Sequence, residues 1–316
     1  MSDHIISTIR PGGAVRGRGP VETHDPIPGE EDQQMTGLPD RVAVIGGGRM
    51  GVGIAHAFAA LGATVTVSET GDLDAARKRL TDSLSRAAER GKLVDPLDVV
   101  AGRVAFVASV AALPGDTRLL VEAVPEDPGL KRRVLADAER VVPDDAVIAT
   151  NTSSLSPTEL GAALRNPSRF LGMHFFNPVP ASELVEIVRA ETTSDALVRD
   201  VAGWVELLGK TPVVVRDSPG FATSRLGVLL GLEAIRMLEE GVADAESIDR
   251  AMELGYKHPM GPLRSTDLVG LDIRLAVAEY LHGTLGERFA PPQLLRDKVA
   301  RGELGRKSGR GFYDWS

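Results

Sequence analysis

From Arg41 onward the chain alternates short β-branched runs with longer stretches in which apolar residues recur every three or four positions. That is the pattern of βαβ units feeding a mostly parallel sheet. Strands are predicted at 42–45, 64–67, 119–124, 146–150, 170–174, 184–188 and 212–215, and helices at 73–90, 130–141 and 196–208. After Val215 the alternation stops. Ser218-Pro219 reads as a helix cap with proline in the first turn, and the apolar run through Leu226, Leu229, Leu230, Ile235 and Leu238 ends at Gly241. The expected architecture is α/β, with a doubly wound sheet at 38–217 and a smaller all-α domain at 218–316.

Residues 1–37 carry six Gly and four Pro, with acids clustered at Glu30, Glu31 and Asp32. So little apolar surface cannot offset ordering entropy, and a flexible tail is expected there. Ile5, Ile6 and Ile9 form no continuous apolar block, so no secretory signal is expected. Met50 to Val67 lacks charged side chains over eighteen residues, the length of a transmembrane candidate. Gly62 divides it into an Ala-rich helical piece and a Thr/Val alternation, so a buried helix followed by a strand is predicted instead of a span.

Composition removes further classes. The 316 residues include no Cys, which excludes disulfides, a thiolate nucleophile and sulfur-ligated zinc. A cytoplasmic setting is expected. The histidines His4, His24, His56, His174, His258 and His282 lack metal-ligand spacing, so no metal is expected either. With 44 acids against 36 bases the net charge is −8, which argues against nucleic acid as the main partner.

Gly46-Gly47-Gly48-Arg49-Met50-Gly51 satisfies G-x-G-x-x-G directly after the first strand and before the Ala-rich helix. Gly46 permits the turn, Gly48 admits a pyrophosphate to the backbone, Gly51 lets helix pack on strand, and the helix N-terminus faces the anion. Arg49 and Met50 belong to the same cofactor-binding turn. Glu69, eighteen residues past Gly51, closes the second strand; an acid about 20 residues on bonds the adenosine ribose, and its charge favours NAD over NADP. A Rossmann-type dinucleotide domain is therefore expected.

His174 ends one strand and Glu186 follows on the next. A carboxylate there can bond one imidazole nitrogen and leave the other to exchange a proton with substrate. The bare spacing equally fits a core histidine bonded to an acid for packing. Ligands of open α/β sheets bind at the carboxyl ends of strands, where His174 and Ser153 would sit.

These residues resemble the NAD-dependent L-3-hydroxyacyl-CoA dehydrogenases, including 3-hydroxybutyryl-CoA dehydrogenases. The likeness runs from about Arg41 to Trp315 through residues 46–55, 121–126, 151–155, 174–180 with Glu186, 217–221, 258–262 with 267–272, and 305–313. It implies that His174 is the general base, that Glu186 supports its imidazolium, and that Ser153 contacts the substrate oxygen. It further implies cofactor contacts at Glu126, Lys131, Asn151 and Asn177, and coenzyme A contacts at Ser83 and Arg90, on a basic helix with Arg77, Lys78, Arg79 and Arg86. An acyl-CoA substrate and a homodimer through the helical domain follow from the same likeness, with no membrane partner. One departure stands out: where the family usually has Asn, this chain has Ser224, shorter than the amide. The expected activity is interconversion of L-3-hydroxyacyl-CoA and 3-ketoacyl-CoA in β-oxidation or short-chain acyl-CoA metabolism. A dehydrogenase of a free hydroxy acid or sugar acid, or a catalytically silent NAD-binding homologue, are the alternatives.

Overall fold

The computed structural model describes residues 37–316, so all of the tail expected at 1–37 except Gly37 lies outside the described residues. The chain runs through β1 (Arg41–Ile45), α1 (Arg49–Ala59), β2 (Thr64–Ser68), α2 (Leu73–Glu89), α3 (Leu97–Gly102) and β3 (Val104–Val107). It continues through β4 (Leu119–Glu122), α4 (Pro128–Glu139), β5 (Val147–Thr150), α5 (Pro157–Gly161) and β6 (Phe170–Phe175). Then come β7 (Leu184–Arg189), α6 (Asp195–Leu207) and β8 (Thr211–Arg216). The helices α7 (Thr223–Glu239), α8 (Ala245–Gly255), α9 (Pro262–Val269), α10 (Leu271–Leu285) and α11 (Gln293–Ala300) complete it.

The strands form one sheet in the order β3-β2-β1-β4-β5-β6-β7-β8. Every pairing is parallel except β6 with β7, which is antiparallel. Both faces are covered. Val42 and Val44 of β1 enter one apolar cluster with α1 and α6, while Ala43 and Ile45 enter the opposite one with α4, which is why these strands read as near-continuous apolar runs. A third cluster, centred on Leu232, Ile235, Leu263 and Leu281, holds the helical part together.

The strand order reverses between β1 and β4, opening a crevice at their carboxyl ends. Residues 50–67 form the last ten residues of α1, a turn and the first four residues of β2, as expected. No helix among the described residues is long and apolar enough to cross a membrane. Besides the short helices α3 and α5, which lie outside the expected spans, two elements differ from expectation. The short strand β3 was not predicted, because Val104–Val107 is only partly covered and shows no strong burial pattern. Helix α7 begins at Thr223 and not beside Ser218-Pro219: residues 218–221 form a turn closed by the Phe221 N–H on the Ser218 carbonyl at 2.8 Å.

Candidate active site

The glycine turn is dictated by contact. Gly46 has φ +109°, and a Cβ there would lie 2.7 Å from the Ala123 carbonyl oxygen across the crevice; one on Gly51 would lie 1.9 Å from the Gly46 oxygen. Neither backbone oxygen can give way, so both positions admit only glycine. A Cβ on Gly48 would meet nothing within 4 Å, which marks the open side of the turn. Gly48 also leaves α1 without a side-chain cap, so the first N–H groups of that helix face this opening. Gly47 was missed as a constrained position. Its N–H donates to Glu69 Oε2 at 2.7 Å and a side chain there would strike Ala76, while the other Glu69 oxygen accepts from Gly71 N–H at 2.6 Å. Two donors leave carboxylate lone pairs of Glu69 for ribose hydroxyls. An uncapped helix end, a side-chain-free approach and an acid at the β2 end together fit a dinucleotide.

Beneath the crevice lies a buried ionic network. Lys131, expected as a cofactor contact, is 1% exposed; its Nζ donates to Glu122 at 2.7 and 3.0 Å and to the Val124 carbonyl at 3.1 Å, with Glu126 3.3 Å away. Glu122 also accepts from Thr150 Oγ1 at 2.6 Å and from Val124 N–H. The ammonium of Lys131 is thus committed to protein acceptors, and its place in the site is to hold Glu126. One oxygen of Glu126 accepts from Thr152 Oγ1, Ser153 N–H and both donors of Ser154, pinning the loop that carries Ser153. Burial raises the Glu126 pKa, but Lys131 and these donors outweigh it and leave the group below its ordinary value. Its stabilisation is therefore complete above the ordinary glutamate pKa near 4.5 and lost as pH falls through the lowered native value. Urea midpoints of Glu126→Gln and the wild type should differ most at neutral pH and converge in acid.

The antiparallel register sets His174 directly opposite Glu186. The ring Nδ1 lies 2.8 Å from Glu186 Oε2, and Nε2 makes no hydrogen bond among the described residues. Both residues are buried, at 6% and 0% exposure. Glu186 accepts three further bonds, from Thr223 Oγ1 at 2.6 Å and from the N–H groups of Ala222 and Thr223 at 3.1 and 2.9 Å. This carboxylate caps α7 in place of Ser218, which explains why the helix starts late. Burial raises the Glu186 pKa, yet the bonds from His174 and Thr223 prevail and lower it. The imidazole is flanked by Phe176, with centroids 4.4 Å apart, and by Phe221 at 5.8 Å. Phe221 is held at φ +51°, a conformation that costs energy for a bulky residue and recurs beside functional groups.

Ser153 and Ser224 meet where the strand ends face α7, the Ser224 hydroxyl donating to the Ser153 carbonyl at 3.2 Å. Both line a cavity of about 320 Å³ with Phe176, Thr223 and residues of α9 and α10, among them Arg274. Asn151 turns its Oδ1 onto Phe175 N–H at 2.8 Å, so this oxygen braces the end of β6.

A second cavity of about 320 Å³ gathers Arg49, Arg79, Ser83, Arg86 and Asn177. The Ser83 hydroxyl lies 2.8 Å from His56 Nδ1. Burial, then Arg86 and Lys210, hold the His56 pKa at about 4, so that imidazole stays neutral. Arg90 is not brought here. It caps the exposed C-terminal end of α2, away from the cavity lining; Arg49, Arg79 and Arg86 supply the basic lining instead. The expected site set also lacked Glu122, Thr223 and Arg274. Only the first carried a local signal, an acid closing an apolar strand.

Comparison with known proteins gives matching assignments along almost the whole described chain. The model for the 3-hydroxyacyl-CoA dehydrogenase NAD binding domain matches residues 41–218, and that for the 3-hydroxyacyl-CoA dehydrogenase C-terminal domain matches 220–315. A probable 3-hydroxybutyryl-CoA dehydrogenase of Deinococcus radiodurans is 42% identical over 278 residues, covering 87% of this chain and all of the relative. The crystal structure of Mycobacterium tuberculosis FadB2 superposes with a TM-score of 0.84 at 42% identity, over 89% of this chain and 100% of that one. The (S)-3-hydroxybutyryl-CoA dehydrogenase PaaH1 of Ralstonia eutropha gives 0.82 at 39% identity, over 88% and 99%.

Proposed function

Because the chain belongs to the 3-hydroxyacyl-CoA dehydrogenase family and is an NAD-dependent oxidoreductase, we propose that it interconverts a short L-3-hydroxyacyl-CoA and the 3-ketoacyl-CoA, with His174 as the proton-transfer group. The observation that carries this reading is the His174–Glu186 pair, whose imidazole packs on Phe176, a residue that lines the cavity with Ser153 and Ser224. Glu186 is held as an anion by four donors. It therefore accepts the Nδ1 proton's hydrogen bond, fixes the tautomer, and directs the Nε2 lone pair at the 3-hydroxyl. The hydroxyl proton passes to Nε2, and the nearby carboxylate stabilises the imidazolium so formed. Ser153 and Ser224 orient the 3-oxygen through their hydroxyls. When bound, NAD supplies the acceptor for the hydride leaving C3.

Gly46, Gly48, Arg49, Met50 and Gly51 hold the pyrophosphate and Glu69 the ribose, with Glu126, Lys131, Asn151 and Asn177 shaping the nicotinamide side. The Ser83 cavity, lined by three arginines, receives coenzyme A phosphates. We divide the chain near Asp217 into a dinucleotide domain and a helical domain. Exposed Leu226, Leu254, Tyr256 and Ile273 on the latter support a homodimer. A cytoplasmic role in fatty-acid or short-chain acyl-CoA metabolism is the setting that suits this chemistry.

NADH oxidation tests the reading: acetoacetyl-CoA should be reduced and free acetoacetate should not. Equal use of both would favour a free-acid dehydrogenase, and no turnover despite NADH binding would favour a silent homologue. Glu69→Ala should weaken NADH about tenfold or more, given about 1.5–3 kcal/mol for hydrogen bonds to a charged group, with little change in acyl-CoA affinity by titration calorimetry.

A further inference from the structure

Four Lys or Arg side chains among the described residues are buried: Lys131, Arg169, Lys210 and Arg274. Lys131 is held by Glu122, Arg169 by the carbonyls of Pro143 and Ala146, and Lys210 by those of Val179 and Ser182. The Arg274 side chain, on α10 in a residue 7% exposed, makes no hydrogen bond or ion pair among the described residues, and its Nε is a buried donor without an acceptor. Burial pulls its pKa down to about 10, which leaves it charged at neutral pH. Native proteins rarely retain such a group without a reason, because an unpaired buried cation is costly.

Its placement indicates what it awaits. The guanidinium lies against α7 where Gly227 and Gly231 stand: a Cβ at Gly227 would be 3.6 Å from Nη1 and one at Gly231 3.7 Å from Nε. Larger residues at these two positions would fill its berth. Gly227 lies three residues and Gly231 seven residues beyond Ser224 on the same helix, roughly 5 and 10 Å along its axis at 1.5 Å per residue. Arg274 lines the same cavity as Ser153 and Ser224, and the rest of the lining is mostly apolar, with Phe176, Val228, Val269, Ile273 and Val277 beside Ser265. The cavity thus combines the hydroxyls of Ser153 and Ser224, an apolar lining, and a cation seated one to two turns further along α7 than Ser224.

We propose that Arg274 is a specificity-determining residue that selects 3-hydroxyacyl-CoA thioesters whose acyl chain ends in a carboxylate, pairing with that carboxylate in the cavity. This rests on the proposed orientation of the 3-oxygen at His174, Ser153 and Ser224. The chain beyond C3 follows the apolar lining, and the planar guanidinium receives both carboxylate oxygens. Desolvation in the cavity strengthens the pair, and substrate binding completes the acceptor set that the fold leaves empty.

The test compares six-carbon ligands that differ only at the chain end. Binding of adipyl-CoA and hexanoyl-CoA is measured by titration calorimetry on the full chain, alongside NADH oxidation with 3-oxoadipyl-CoA and 3-oxohexanoyl-CoA. The wild type should favour the carboxylate-ended ligand by at least about tenfold, in line with a charge-assisted bond. Arg274→Met should abolish that preference, and Arg274→Lys should restore part of it. Equal binding of both ligands by the wild type, or an unchanged preference in Arg274→Met, would overturn the proposal. So would a change of oligomeric state in Arg274→Met without a wild-type preference, the signature of pairing with a second copy. Arg274→Met removes an unpaired charge and should melt no lower than the wild type; were it not to fold, the wild-type preference alone decides. Absence of turnover with every 3-oxoacyl-CoA would defeat the dehydrogenase reading, whereas the binding ratio would still decide the role of Arg274.

Discussion

Replacing His174 with alanine is expected to lower turnover by about 10²–10⁴-fold, the contribution typical of a positioned general base, while leaving NADH affinity close to that of the wild type. The separation of these effects follows from the fold. His174 lies on β6, whereas the glycine turn and Glu69 lie at the ends of β1 and β2, three and four strand positions away in the sheet. No hydrogen bond links His174 to either. The variant leaves Glu186 with three donors, from Ala222 and Thr223, so the α7 cap survives and the helical part stays attached. Turnover and fluorescence titration with NADH on one preparation check both halves. Turnover within a few-fold of the wild type would mean that another group takes the proton.

The second large effect concerns stability. Glu122→Ala should destabilise the protein by up to about 3–5 kcal/mol, the range for breaking a buried ion pair, with Glu126 at 3.3 Å and the Val124 carbonyl as the partners that Lys131 retains. Glu122 and Lys131 are 0% and 1% exposed. Val124 N–H and Thr150 Oγ1 would lose their acceptor at the same time. The double variant Glu122→Leu with Lys131→Met should recover much of the loss, because an apolar pair of similar volume avoids the desolvation cost of two ions. Chemical denaturation of the three proteins measures this. A single-variant loss below about 1 kcal/mol would place the pair in the class of solvated surface bridges. The pair also braces Glu126 and the 152–154 loop, so the rescued double variant should fold yet bind NADH less well.

What could be read from the chain alone divides along the range of the interactions. Gly51 is legible because its constraint is local, the Gly46 carbonyl five residues earlier, and Gly46 is legible from the turn motif although the atom that excludes its Cβ, the Ala123 carbonyl oxygen, lies far along the chain just past β4. The His174–Glu186 hydrogen bond is legible for a similar reason, since twelve residues and one reversal separate the pair. The rest of the Glu186 environment is not. Its donors come from the start of α7, thirty-six and thirty-seven residues later, and no local pattern marks a helix capped by a distant carboxylate. Ser218-Pro219 offered a stronger local signal and misplaced the helix start.

The burial of Lys131 was hidden for a different reason. It sits among charged neighbours in Lys131-Arg132-Arg133, and only tertiary packing turns one of the three inward. Arg274 is the converse, a single cation inside an apolar helix, indistinguishable in sequence from one that reaches solvent along its own stem. The identity of the basic cavity wall was half legible. Ser83 and Arg86 lie on the predicted helix, whereas Arg49 joins them only because α1 and α2 pack side by side.

The most direct measurement is a crystal structure with both NAD and a 3-ketoacyl-CoA bound, read at one distance. His174 Nε2 should lie within about 2.6–3.2 Å of the 3-oxygen, with Nδ1 still on Glu186. An oxygen held by other donors, with the imidazole turned away from it, would contradict the assignment.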